Sequence, residues 1–284
     1  MHRLLPLLFV LLLVACNTDD QVDDQPTLVV EGWIDNDGFP TVLLTTTVPI
    51  TKKPHKINEL GDHILRWARV AVNDGEQEVV LTGKLDRRYF PPYVYTSGRM
   101  RGVVGRTYRL TVDYGDFHAE AETSIPPAPT LDSLRLRPLA DNDTLFQLRA
   151  YFHDDLSEPR FYKFFTSMGT DSRMFLSSYM QTLSNEVFDP NAEQDIAVYK
   201  GRLVTRRDGY VPYFEAFDTV MVKFVAMDRQ SFLMWNQLEH NMTLGGFPMT
   251  SAKENPHFNV RGGIGYWCGY GATFYPVIVR DSLP

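Results

Sequence analysis

Two patterns of apolar residues divide this chain. Residues 4–14 form an unbroken apolar run, and the next dozen are polar and acidic. From Thr27 onward, β-branched and aromatic residues alternate with polar ones in short runs. Each run stops at Asn, Asp, Gly or Pro, the residues that turn a chain. Residues 28–34 predict a strand, Asp35-Asn36-Asp37-Gly38 a turn, and 41–48 the next strand. Arg69-Val70-Ala71-Val72 and Glu78-Val79-Val80-Leu81 flank Asn73-Asp74-Gly75, a strong hairpin signal. A second hairpin is predicted from 108–112 and 117–121 across Asp113-Tyr114-Gly115-Asp116. With no helical period between these strands, 27–126 reads as a small antiparallel sandwich, immunoglobulin-like or transthyretin-like.

Ile125-Pro126-Pro127-Ala128-Pro129 ends that pattern, because proline cannot donate to a ladder and favours an extended spacer. Residues 127–130 are therefore predicted as a linker, and 131–284 as a second β-rich domain. Its expected strands lie at 131–137, 145–152, 161–167, 199–206, 219–227 and 273–279. One stretch changes period. Asp228 is placed to cap a helix near 229–242, with Phe232, Trp235, Leu238 and Met242 on one face. The fold class predicted is all-β with one short helix.

The apolar run at the start has the parts of a secretory leader. His2 and Arg3 precede a core of about 11 residues, too short for the roughly 20 a spanning helix needs. Leu13-Val14-Ala15-Cys16 then reads as a lipobox, with residues 1–15 removed and Cys16 acylated. Residues 16–26, rich in Asp and without periodicity, read as a flexible acidic tether. An acidic run directly after a lipidated cysteine resembles the surface-export signal of Bacteroidota lipoproteins.

Composition narrows the partners. The formal charge is −7 and no basic block is present, which argues against nucleic acid. Of the two cysteines, Cys16 is assigned to lipid, so Cys268 has no disulfide partner and no cysteine metal site is expected. Searches for chemistry return little. His153-Asp154-Asp155 places an imidazole beside carboxylates, but consecutive residues point apart, and a solvated turn is the reading adopted. His118 reads as a wall residue of a strand. His240 and His257 flank Gly245-Gly246 without a completing ligand pattern. Gly263-Ile264-Gly265 lacks the third glycine and the βαβ unit of a dinucleotide site. No nucleophile elbow or HExxH is present, so the chain is read as a non-enzyme with no cofactor and no metal. Aromatic residues are the more suggestive feature. Tyr93 and Tyr95 fall in a loop-like stretch, Tyr89-Phe90-Pro91-Pro92-Tyr93-Val94-Tyr95, and Tyr266, Trp267 and Tyr270 sit among glycines. These five are candidates for partner or ligand contact, with packing against the protein's own core as the competing reading.

The order of several segments resembles one family. Leu28-Val29-Val30-Glu31-Gly32-Trp33-Ile34, Pro91-Pro92-Tyr93, Gly105-Arg106-Thr107-Tyr108-Arg109-Leu110 and Ile125-Pro126-Pro127 occur in that order. They are followed by the 229–242 helix, Gly245-Gly246-Phe247-Pro248 and Asn259-Val260-Arg261-Gly262-Gly263-Ile264-Gly265-Tyr266. Together they are similar to the domain of unknown function 4249 family. The resemblance implies a Bacteroidota outer-membrane lipoprotein encoded beside TonB-dependent transporters, with no catalytic residues to assign. Cys268 departs from the small or aromatic residue expected there. The functional expectation is a surface-exposed, non-catalytic accessory of an outer-membrane β-barrel, docking on it or capturing a nutrient for it. An architectural subunit of an envelope machine and a surface hydrolase of glycans or peptides are the alternatives.

Overall fold

The computed structural model describes residues 26–47, 59–140, 142–169, 174–201, 210–243 and 257–280. Seventeen strands and one α-helix account for most of them. The first strands are β1 (Leu28–Asp35), β2 (Thr41–Thr46), β3 (Arg69–Asn73), β4 (Glu78–Val80), β5 (Thr82–Leu85), β6 (Tyr93–Thr96), β7 (Thr107–Tyr114) and β8 (Phe117–Ser124). After the proline stretch come β9 (Ser133–Leu139), β10 (Asn142–Phe152), β11 (Phe161–Met168), β12 (Leu176–Ser184), β13 (Gln194–Val198), β14 (Phe214–Glu215) and β15 (Thr219–Met227). Helix α1 (Arg229–Thr243), β16 (Val260–Arg261) and β17 (Ile264–Ile278) complete the chain. The all-β expectation holds, with one short helix starting at the capping residue foreseen. The Asp228 carboxylate accepts from the Ser231 backbone N–H at 2.7 Å and from the Thr123 hydroxyl at 2.9 Å, so the cap also ties α1 to β8.

An eight-stranded sheet runs through the whole molecule in the order β12-β11-β15-β17-β1-β2-β6-β5. Its centre joins the two ends of the chain, because β1 pairs in parallel with β17 from Val29↔Ile264 to Asp35↔Tyr270. The segments expected as separate domains, 27–126 and 131–284, therefore share one sheet. Two smaller sheets cover one face of it. The first, β16-β8-β7-β3-β4, encloses a core of Val30, Leu44, Val72, Leu110 and Trp267. The second, β13-β10-β14 with β9 on β10, encloses Phe152, Phe164, Phe214, Val222 and Phe224. Helix α1 packs on the opposite face, where Met234 and Trp235 meet Phe165, Val225, Cys268 and Tyr270.

The proline stretch crosses the sheet between the two covers. Residues alternate faces along β17, so Trp267 enters the first core, Tyr275 and Val277 border the second, and Gly269 and Gly271 lie between them. A Cβ at Gly269 would strike the Ser124 carbonyl, and one at Gly271 the Pro126 carbonyl. The glycines let a second backbone lie flat on the strand. Thr273 Oγ1 donates to the Pro129 carbonyl and the Leu131 N–H donates to the Tyr275 hydroxyl at 2.7 Å, which fasten the strap.

Several strand expectations change. The final strand begins at Ile264 instead of 273, because the glycine-rich tail is itself sheet. Most of the strand expected at 199–206 lies outside the described residues, a strand not foreseen occupies Gln194–Val198, and β12 arises from a stretch with no clear period. Tyr93-Val94-Tyr95 belongs to a strand, not a loop.

Candidate functional site

The aromatic candidates are mostly interior. Tyr95, Trp267 and Tyr270 are buried, and each spends its polar atom inside the fold. The Tyr95 hydroxyl donates to the Leu65 carbonyl at 2.8 Å and accepts from the Ala68 N–H at 3.0 Å. The Trp267 indole N–H donates to the Tyr108 carbonyl at 2.9 Å, and the Tyr270 hydroxyl accepts from the Trp235 indole at 2.8 Å. For these three, the expectation of ligand or partner contact is corrected. Their place in the ladder turns them inward, and buried Tyr and Trp need an internal partner. Tyr93 and Tyr266 are half-buried. The Tyr93 hydroxyl donates to the Arg66 carbonyl at 2.9 Å, and Tyr266 packs 5.6 Å from the Trp235 ring. Cys16, the leader, the acidic tether up to residue 25 and Gly245-Gly246-Phe247-Pro248 lie outside the described residues.

Cys268 is fully buried beneath α1. Burial pushes its thiol up to about 12, only partly opposed by hydrogen bonding with Ser231 and Tyr270. A thiol held protonated in this way is neither nucleophile nor metal ligand.

The same interface contains charges that the linear pattern did not single out. Lys163 on β11 is completely buried and pairs with Glu239 of α1. Burial holds the Lys163 ammonium below its ordinary pKa, with Glu239 pulling the other way. The β11–β12 register shifts between Lys163 and Phe165, and Glu239 lies where it shifts. Its carboxylate accepts from the Gln181 and Thr182 N–H groups, each at 3.2 Å, while Lys163 Nζ also donates to Thr182 Oγ1 at 3.0 Å. Lys223 on β15 reaches both oxygens of Asp35 at 2.7 Å. Four rings surround its ammonium, Tyr270 nearest at 4.9 Å, then Phe165, Phe175 and Phe274. The Lys163–Glu239 pair seats α1 on β11, and the Lys223–Asp35 pair ties β15 to β1 across β17. A signal for them exists in sequence: a lysine flanked on both sides by large apolar residues in each of two runs, 161–168 and 219–227, that are largely buried on both faces.

The chemically open convergence lies on the second cover sheet. His153 does not act with Asp154 and Asp155, its neighbours in sequence. Its Nδ1 lies 2.7 Å from Asp132 Oδ2, and Glu193 completes a group whose ligand atoms lie within 4.8 Å of one another. Asp154 and Asp155 pair with Arg160 instead. Beside Asp132 is a cavity of about 410 Å³ lined by Leu131, Ser133, Leu134, Leu136 and Tyr275. Pattern reading could not find this triad, because its members are far apart in the chain.

The structure defines an all-β protein whose long central sheet carries two cover sheets on one face and helix α1, seated over buried ion pairs, on the other. The particular family is shown by sequence. Residues 14–273 match the profile of the domain of unknown function DUF4249, and the chain belongs to that family. No curated protein matches it at a significant level.

Proposed function

We propose that this chain is a lipid-anchored protein of the outer-membrane surface and a non-catalytic accessory of an outer-membrane β-barrel, a TonB-dependent transporter being the partner class. The observation that carries this reading is the succession of an apolar leader, Leu13-Val14-Ala15-Cys16, an acidic run, and a sheet that begins at Leu28. A diacylated or triacylated cysteine holds a body at a membrane, since each buried CH₂ contributes about 0.8 kcal/mol. With three of the aromatic candidates buried, docking falls to outward apolar side chains such as Trp67, Val187 and Phe217, the last with φ of 69°. The test is capture of the tagged chain from native envelopes in mild detergent, followed by mass spectrometry. A barrel protein recovered in stoichiometric amount is the expected result. Efficient capture with no barrel in the eluate would sink the accessory reading. Recovery of a large assembly of non-barrel envelope proteins would favour the architectural one.

A further inference from the structure

We propose that Asp132, His153 and Glu193 form a binding site for a divalent transition-metal ion of the zinc type. This goes beyond the anchoring reading and does not depend on it.

The strand ends assemble the site. Phe152 on β10 is level with Gln194 on β13, so one step on His153 stands level with Glu193. Ser133 on β9 is level with Tyr151, which puts Asp132 level with Phe152, diagonal to His153, and its carboxylate reaches the His153 Nδ1 at 2.7 Å. The three therefore come together at one end of three adjacent strands, with the histidine in the middle. One imidazole and two carboxylates are an N,O donor set suited to zinc and neighbouring divalent ions. The ligand atoms lie within 4.8 Å of one another, so small side-chain rotations bring them onto a common ion with bonds near 2.0–2.2 Å.

The local charge supports an ion there. The arginines of this region are committed elsewhere: Arg149 and Arg137 to Asp195, Arg160 to Asp154 and Asp155. Asp132 has His153 as its ion-pair partner, and Glu193 has none among the described residues. Two carboxylates close together without a fixed cation repel, and a divalent ion between them removes that repulsion. Ions can enter freely, since the His153 side chain is 71% exposed and that of Asp132 48%.

Three protein ligands leave a coordination position open, the arrangement that lets a bound ion take water or an external ligand. Of the three ligands, Asp132 is also a wall residue of the cavity lined by Leu131, Leu134 and Leu136, so apolar surface lies beside the ion on the Asp132 side.

The test is calorimetric titration of the chelator-stripped full chain, held in detergent, with Zn²⁺ alone. One ion per chain is expected, with affinity lowered at least tenfold in His153→Gln and in Asp132→Asn. Asp154→Asn/Asp155→Asn, which alters the linear motif but not the triad, should bind like the parent. A melting scan with and without Zn²⁺ gives an independent readout. The parent and the double-Asn variant should be stabilised by Zn²⁺, while His153→Gln should melt like the parent in chelator and gain nothing from the ion. No zinc binding by the parent, or equal binding by parent and His153→Gln, overturns the proposal.

Discussion

At the scale of single residues, burial decides what the conspicuous side chains can do. Trp267 looked like a platform for a ligand because it stands among glycines. In the fold those glycines lie against the protein's own backbone, Gly263 and Gly265 along β1 and Gly269 and Gly271 along the end of β8 and the strap, and the indole closes the first core with its N–H on Tyr108. Cys268 is one residue on and faces the other way, under α1. It is the one cysteine among the described residues, and burial pushes its thiol up to about 12, so little of it is thiolate at pH 8. If Cys16 is acylated as proposed, Ellman's reagent at pH 8 should leave the native chain unreacted over minutes and titrate one thiol after denaturation. Rapid reaction of the native chain would mean that α1 does not keep β17 covered. Residue types were readable from the start; which way each pointed was not, because a shift of one position along a strand exchanges its faces.

At the scale of elements, α1 shows why a helix of modest amphipathicity stays in place. Its start is set locally by Asp228, which a sequence reader finds from residue type and position. Its seat is set by non-local charge. Glu239 fills the irregularity in β12 and meets Lys163, whose neighbours on β11 are apolar on both sides. Breaking a buried pair by removing one partner typically costs about 3–5 kcal/mol, whereas replacing both by apolar residues is often neutral. Lys163→Ala should therefore lower unfolding stability by about 3–5 kcal/mol in urea titration. Lys163→Met combined with Glu239→Leu should recover part of that loss, less than all of it because Glu239 also accepts from two backbone N–H groups. Equal stability of Lys163→Ala and the parent would show that the pair does not hold the helix. The periodicity of α1 was legible at 232, 235 and 238; its partner at 163 was not, since nothing in either segment names the other.

At the scale of the whole molecule, the parallel β1–β17 pair makes the fold one sheet-spanning body. The first strand is hydrogen-bonded to the last described strand, so both lie in the central region of the long sheet. The anchoring reading then makes a simple demand. Cys16→Ala should release the chain from the membrane fraction on cell fractionation, with its folded body intact by circular dichroism. Firm membrane association of Cys16→Ala would require a second anchor or a partner that holds the body by itself.

Local chemistry alone determined strands such as β1, β3, β7 and β8, the hairpins at Asn73-Asp74-Gly75 and Asp113-Tyr114-Gly115-Asp116, and the helix cap. Each depends on alternation, turn residues or a short motif within one stretch. Tertiary structure alone decided that the two β-rich segments share a sheet, that the proline stretch is a strap across it, and that His153 meets Asp132 and Glu193 instead of its own neighbours. The physical reason is common to all three. Pairing between strands far apart in sequence is selected by the burial of whole faces, and no single segment carries the identity of its partner.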